Sequence, residues 1–292
     1  MPHVADTQTC DGLRLAGRTW LPETTPRGSV LLLHDVGEHV GRYERLAAAL
    51  ARADLRVHGY DQRGHGASGG RRARVRSVGR LVDDLALVVE RDEALRRGSW
   101  ALVGQGLGAL VALRAVQTDA LVPAPDALIL AAPFLRPRHG PPPALTRPLA
   151  LLARVVPWLP FTLLDPATMS RDPVEVAAYR DDPSVAHRPL DVGTAAAMAT
   201  AGAAALTPNA APLALPTLVL HGSDDAICDP AASAELAAGN PGITHHVEHD
   251  GRHALFHDTC RAFVTDLLVR WLLVRLALER RPSADRCVRP AG

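Results

Sequence analysis

Three widely separated residues stand where acyl-transfer chemistry would place its working groups, and one of them is of the wrong type. The apolar run WALVGQ (100–105) leads into Gly104-Gln105-Gly106-Leu107-Gly108 and then the helical pattern ALVALRAV. That is the strand, sharp turn and helix in which a G-x-S-x-G motif presents a serine nucleophile. Here the central residue is Gly106. An acid and a histidine should follow in that chain order, each in a loop after a later strand. PTLVLHGSDDAICDP places Asp225 just beyond one strand, and HHVEHDGRHALFHD places His253 just beyond the last. A buried carboxylate there would hold the imidazole in its proton-accepting tautomer, making His253 the general base and acid and Asp225 its orienting partner. A single Asp or His is most often a surface or capping residue; two at the expected loops, in order, after an elbow carry the reading.

The elements that must position these residues read as an α/β fold. VLLLHD (30–35), LRVHGYD (55–61), WALVGQ (100–105), DALILAAP (126–133), PTLVLHG (216–222) and HHVEH (245–249) are strand-like, and helical patterns fall at 42–53, 77–97 and 259–279. Such alternation predicts a mostly parallel sheet flanked by helices. Residues from about 135 to 210 interrupt it with a Pro-rich entry, the apolar LALLARVVPWLPFTLL and an Ala-rich segment, none with a strand pattern. An insertion there predicts a helical lid over the ends of the strands. A disordered linker is the alternative, but Trp158, Phe161 and the Leu/Val stripe carry too much apolar surface for it. The 292 residues thus read as a single α/β domain, 1–292, with one lid inserted at about 135–210.

Composition narrows the partners. The 32 basic and 31 acidic residues nearly cancel, which argues against a nucleic-acid or anionic-membrane surface. Cys10, Cys228, Cys260 and Cys287 show no C-x-x-C spacing and indicate neither a zinc ribbon nor a disulfide framework. Residues 1–12 lack a basic segment followed by an apolar one, and charged residues interrupt the apolar stretches at 144–164 and 263–278. The expectation is a cytoplasmic protein without a stable membrane anchor. His245, His246, His249, His253 and His257 are close in sequence, and His253 and His257 could share a helix face as zinc ligands. No H-E-x-x-H accompanies them, so metal is a minor alternative and no cofactor is expected.

The chain resembles the monoacylglycerol lipase and lysophospholipase group of α/β-hydrolases, also labelled serine aminopeptidase-like, from about Asp11 to the C-terminal helix. HDVGEHVGRY (34–43) is similar to that group's H-G-x-G-E-H-x-G-R-Y, and YDQRGHGASGGRR (60–72) to its D-x-R-G-H-G-x-S-x-G. In the lid, MSRDPVEVAAYRDDP (169–183) resembles its S-R-D-P followed by Y-x-x-D-P. The resemblance implies an oxyanion hole made by the backbone amides of Val36 and Leu107, two donors aimed at the developing negative oxygen. It implies that Glu38 and Arg42 line a polar pocket for the alcohol part of a substrate, the alternative being a structural ion pair. Arg63, His65 and Gly66 would hold loops together, and Cys228 would be a buried thiol near the site.

Two residues depart from the pattern. His34-Asp35 replaces His-Gly, which could reset the loop carrying Val36 because glycine reaches positive φ more cheaply. Gly106 replaces the serine, so no acyl-enzyme can form; losing the serine of a triad costs ~10⁶ in kcat, or about 8 kcal/mol. Glycine itself suits the strained elbow, so fold and pocket should survive. Three explanations stand side by side: an engineered knock-out of a serine hydrolase, a natural pseudoenzyme that binds an apolar ligand, or a site active without a covalent step, with His253 as base on a water in the space the serine Oγ would have filled or on the substrate itself in a lyase or cyclase reaction. The ancestral activity implied is hydrolysis of a carboxylic ester with an apolar acyl chain, such as a monoacylglycerol or lysophospholipid.

Overall fold

Short runs of Val, Leu and Ala bounded by turns become buried strands, and runs with apolar residues every three or four positions become the helices that cover them. A computed structural model describes residues 6–139, 153–162 and 165–278. Its central sheet is built from β3 (Gly17–Trp20), β4 (Gly28–Leu33), β5 (Leu55–Tyr60), β6 (Trp100–Gln105), β7 (Ala127–Ala131), β10 (Thr217–Gly222) and β11 (Ile243–Glu248), in the order β11-β10-β7-β6-β4-β5-β3. All neighbours pair in parallel except β3, which runs antiparallel to β5 at the edge. A short hairpin, β1 (Thr7–Gln8) with β2 (Arg14–Leu15), precedes it.

Strands β4, β6 and β7 are buried along almost their whole length, as expected where helices cover both faces. On one face Leu31, Leu33, Leu102, Leu128 and Leu130 pack with helices α2 (Val78–Arg91) and α4 (Leu107–Gln117). On the other, Val30, Leu32, Val103, Ile129 and Leu220 pack with α1 (Glu44–Arg52) and the C-terminal helix Arg261–Leu278. Each fully buried Leu or Val contributes about 1.5–3 kcal/mol of burial, so the two layers fix the carboxyl ends of β4, β6, β10 and β11 as a rigid frame.

Two sequence expectations are corrected. The helix expected over 77–97 breaks at Asp92, whose carboxylate accepts from the amides of Ala94 and Leu95 and starts the short α3 (Glu93–Arg97); Asp is a strong N-cap. The inserted lid does contain strands: β8 (Pro160–Thr162) pairs antiparallel with β9 (Leu190–Asp191). Both are too short to show a period. Of the apolar LALLARVVPWLPFTLL, residues 153–162 are described, and Val155, Trp158, Leu159 and Phe161 there are exposed, against the expectation that this apolar surface is buried. The rest of the lid comprises α5 (Pro166–Met169), α6 (Pro173–Asp181) and α7 (Val192–Ala205). Asp165, Asp172 and Asp191 cap these helices through their side chains. Ion pairs tie the lid to the body: His39 with Asp182 at 2.8 Å, Arg76 with Asp191 at 2.9 Å, Arg261 with Asp172 at 2.6 Å, and Arg45 with Glu175.

Candidate active site

Gly106 follows β6 directly and opens α4 with φ 53° and ψ −113°, a conformation that glycine adopts with little penalty. Its amide donates to the carbonyl of Ala131 and its carbonyl accepts from Leu110 and Phe134, so the elbow is fully built around a residue that carries no side chain. Asp225 and His253 stand in the loops after β10 and β11. His253 Nδ1 lies 2.8 Å from Asp225 Oδ2, and both side chains are buried.

Asp225 is held from all sides. Its Oδ1 accepts from the amides of Ile227 and Cys228, and its Oδ2 is shared with His221 Nε2 at 3.1 Å. His221 in turn meets Ser233 Oγ at 2.7 Å. Burial opposes the charge on Asp225, yet the neighbouring His253 and His221 hold its carboxyl well below the usual carboxylate range. Gln105 donates to the carbonyl of His253 and fixes the ring's backbone from below.

The amides of Val36 and Leu107 do converge on one point, and that point is occupied by the protein itself. Asp35 Oδ1 accepts from Val36 N at 2.7 Å and from Leu107 N at 2.6 Å, while Asp35 Oδ2 lies 2.8 Å from His253 Nε2. The carboxylate fills the space a nucleophile would need. A Cβ added to Gly106 would lie 2.0 Å from Asp35 Oδ1 and 2.5 Å from Oδ2, far inside contact distance. Gly106 and Asp35 are therefore complementary, and a serine at 106 excludes the carboxylate from its present seat.

Both ring nitrogens of His253 face carboxylate oxygens, which only accept, so both must donate and the ring is an imidazolium. Burial alone would favour the neutral ring; Asp225, then Cys228 and the hydrogen bonds the ring donates to Asp225 and Asp35, overcome it and raise the pKa well above 6.5. The resting His253 is therefore not the free base expected from its position, since its Nε2 proton is engaged by Asp35. Asp35→Asn replaces one acceptor by an amide that can donate to Nε2, and the titration of His253 should then move down by about 1–3 pH. Imidazole NMR resonances of the two proteins would show it, and an unmoved titration would mean that Asp35 does not hold the proton.

Glu38 and Arg42 lie beside this loop as a closed pair. Arg42 Nε donates to Glu38 Oε1 at 3.1 Å, Tyr43 donates to Oε2 at 2.8 Å, and the guanidinium stands 4.8 Å over the ring of Tyr179 from the lid. Arg63 bridges Asp84 and Asp11, and His65 contacts the carbonyl of Arg63, so that turn joins loops. Among the described residues one group, Asp225, Cys228 and His253, brings three metal-ligating atoms within 4.8 Å of one another. It does not fit a metal: the Asp225 and His253 atoms are spent on each other, and burial pushes the Cys228 thiol up to about 12, whereas thiolate is the ligand form. His253 and His257 do not share a helix face; His257 lies in a separate 3₁₀ turn with Nε2 on the carbonyl of Arg42.

An elbow at the end of a central strand, an acid and a histidine after two later strands, and two converging amides on a mostly parallel sheet define an α/β-hydrolase. Over residues 24–260 the chain matches the family model for serine aminopeptidase, S33, and it belongs to that family. It is 32% identical over 272 residues to a monoacylglycerol lipase of Mycolicibacterium smegmatis, covering 91% of this chain and 95% of that one. It is 33% identical to the monoglyceride lipase of Homo sapiens over 78% of this chain and 74% of that one. The solved monoacylglycerol lipase of Paleococcus ferrophilus superposes with a TM-score of 0.78 at 26% identity, covering 89% of this chain and 99% of that one. The protein is thus a monoacylglycerol lipase-like or esterase-like α/β-hydrolase. Sequence reasoning treated Asp35 only as a perturbed loop, and missed His221 and Ser233, whose one signal was polar residues inside apolar elements.

Proposed function

We propose that this chain takes a small molecule with an apolar chain beneath its lid but does not hydrolyse esters through an acyl-enzyme. The observation that supports this is Asp35, whose carboxylate takes the space of both the missing hydroxyl and the oxyanion. A single knock-out at 106 would leave that space empty; the carboxylate fitted to it favours natural divergence over an engineered change. Asp225 and His253 persist because His253, oriented by Asp225, now binds Asp35. The working unit is one domain with its lid, in the cytoplasm, with no cofactor and no nucleic-acid partner.

The expected result is no turnover of a p-nitrophenyl ester series from acetate to dodecanoate above the buffer rate, and no labelling by a fluorophosphonate probe for active serines. An uncleavable ether analogue of a monoacylglycerol should bind, as read by titration calorimetry. Turnover of any ester in the series by the unaltered protein would overturn the proposal.

A further inference from the structure

We infer that Asp35 is a nucleophile toward small aliphatic epoxides, and that the site around it can hydrolyse the alkyl ester so formed. The inference rests on the reading that serine chemistry is absent here. Its first support is an asymmetry between the two carboxylate oxygens. Oδ1 accepts from two backbone amides, whereas Oδ2 meets only the Nε2 of His253, which leaves a lone pair on Oδ2 for bond formation. If Oδ2 is alkylated, Oδ1 becomes the carbonyl oxygen of an ester already seated between two donors, where a tetrahedral adduct needs its negative oxygen. His253 then lies beside the ester, backed by Asp225, as the base for a water molecule.

The choice of electrophile follows from the proton. Attack of a carboxylate on an ester would give a mixed anhydride, an uphill product. Opening an epoxide needs a nucleophile and a proton for the oxygen that departs, and the resting site holds both, a carboxylate and an imidazolium in contact. In the first step Oδ2 attacks a ring carbon, the carbon–oxygen bond of the ring breaks, and the proton of His253 ends on the freed oxygen. Asp35 has then lost its charge and His253 its proton, so the ring becomes a base at the stage that needs one. In the second step His253 takes a proton from water, and the oxygen of that water bonds to Cγ of Asp35. The adduct collapses, the ester oxygen leaves as an alcohol with the proton from His253, and the new carboxyl proton returns to His253. The sum is epoxide plus water giving a diol, with the site restored. The side chains of Asp35 and His253 are 4% and 2% exposed, so a slim, unbranched aliphatic epoxide is the substrate class.

The test is to incubate the protein with the terminal epoxide of octene in water enriched in heavy oxygen. Diol is followed by gas chromatography and the peptide containing Asp35 by mass spectrometry. Diol should form, and heavy oxygen should accumulate in the carboxylate of Asp35 because the attacked atom is its Cγ. Asp35→Asn should reduce diol formation to the uncatalysed rate. The labelling in the unaltered protein stands even if that variant folds poorly. No diol above the uncatalysed rate, or diol without label on Asp35, overturns the inference. An epoxide has no acyl carbonyl, so the ester series reports on the reading of the preceding subsection and this experiment on Asp35 alone.

Discussion

Gly106→Ser alone should leave the protein silent toward esters, whereas Asp35→Gly combined with Gly106→Ser should raise turnover of p-nitrophenyl butyrate by about 10³ or more. The single variant brings a Cβ to within 2.0 Å of Asp35 Oδ1, and the carboxylate, even if displaced, stays near the amides of Val36 and Leu107. An anion in that hole competes with the oxyanion of every tetrahedral adduct, and loss of one hole donor already costs about 10²–10³ in kcat. The imidazolium of His253 adds a second obstacle, because a protonated ring cannot take the serine proton. Removing the carboxylate acts on all three at once: it empties the seat, frees both amides and removes one of the two negative groups that hold the proton on His253. Asp35→Gly alone should remain inactive, since it opens the hole without supplying a nucleophile. Equal activity of the single Gly106→Ser variant and the double variant would show that Asp35 is not the block.

Much of this site was legible before any coordinates, because the elbow, the acid and the histidine each follow a strand with a clear apolar pattern, and strand order dictates that their loops meet. The pairing of Val36 with Leu107 came through a resemblance to relatives, since nothing in spacing alone aims two amides at a point. Asp35 shows the limit of such reading. Its departure from glycine was visible, but its consequence depends on a separation across space from Gly106, which follows another strand, and no local pattern encodes that. The missed β3, β8 and β9 have a common cause: edge and lid strands of two to four residues are too short for a two-residue alternation to stand out. The break at Asp92 was hidden because apolar spacing continues across it, while a capping carboxylate decides the geometry.

Asp225→Ala should cost about 3–5 kcal/mol, the usual range when a buried ion pair loses one partner, and lower Tm by about 10 °C. The carboxylate of Asp225 receives His253, His221 and two backbone amides, and alanine leaves each of these buried donors without it. The effect should also depend on pH in a definite direction. The pKa of His253 is raised from 6.5 in the fold, so its contribution is complete below about pH 6.5 and is lost as pH rises through the folded value. That of Asp225 is lowered from 3.8, so its contribution is complete above about pH 4 and is lost only as acid drives it through its depressed value. The gap in stability between the unaltered protein and Asp225→Ala should therefore be widest from about pH 4 to 6.5 and narrow toward alkaline pH. Urea titrations of both proteins at pH 5, 7 and 9 would measure it, and a gap that stayed constant across that range would mean that His253 does not carry its second proton in the fold.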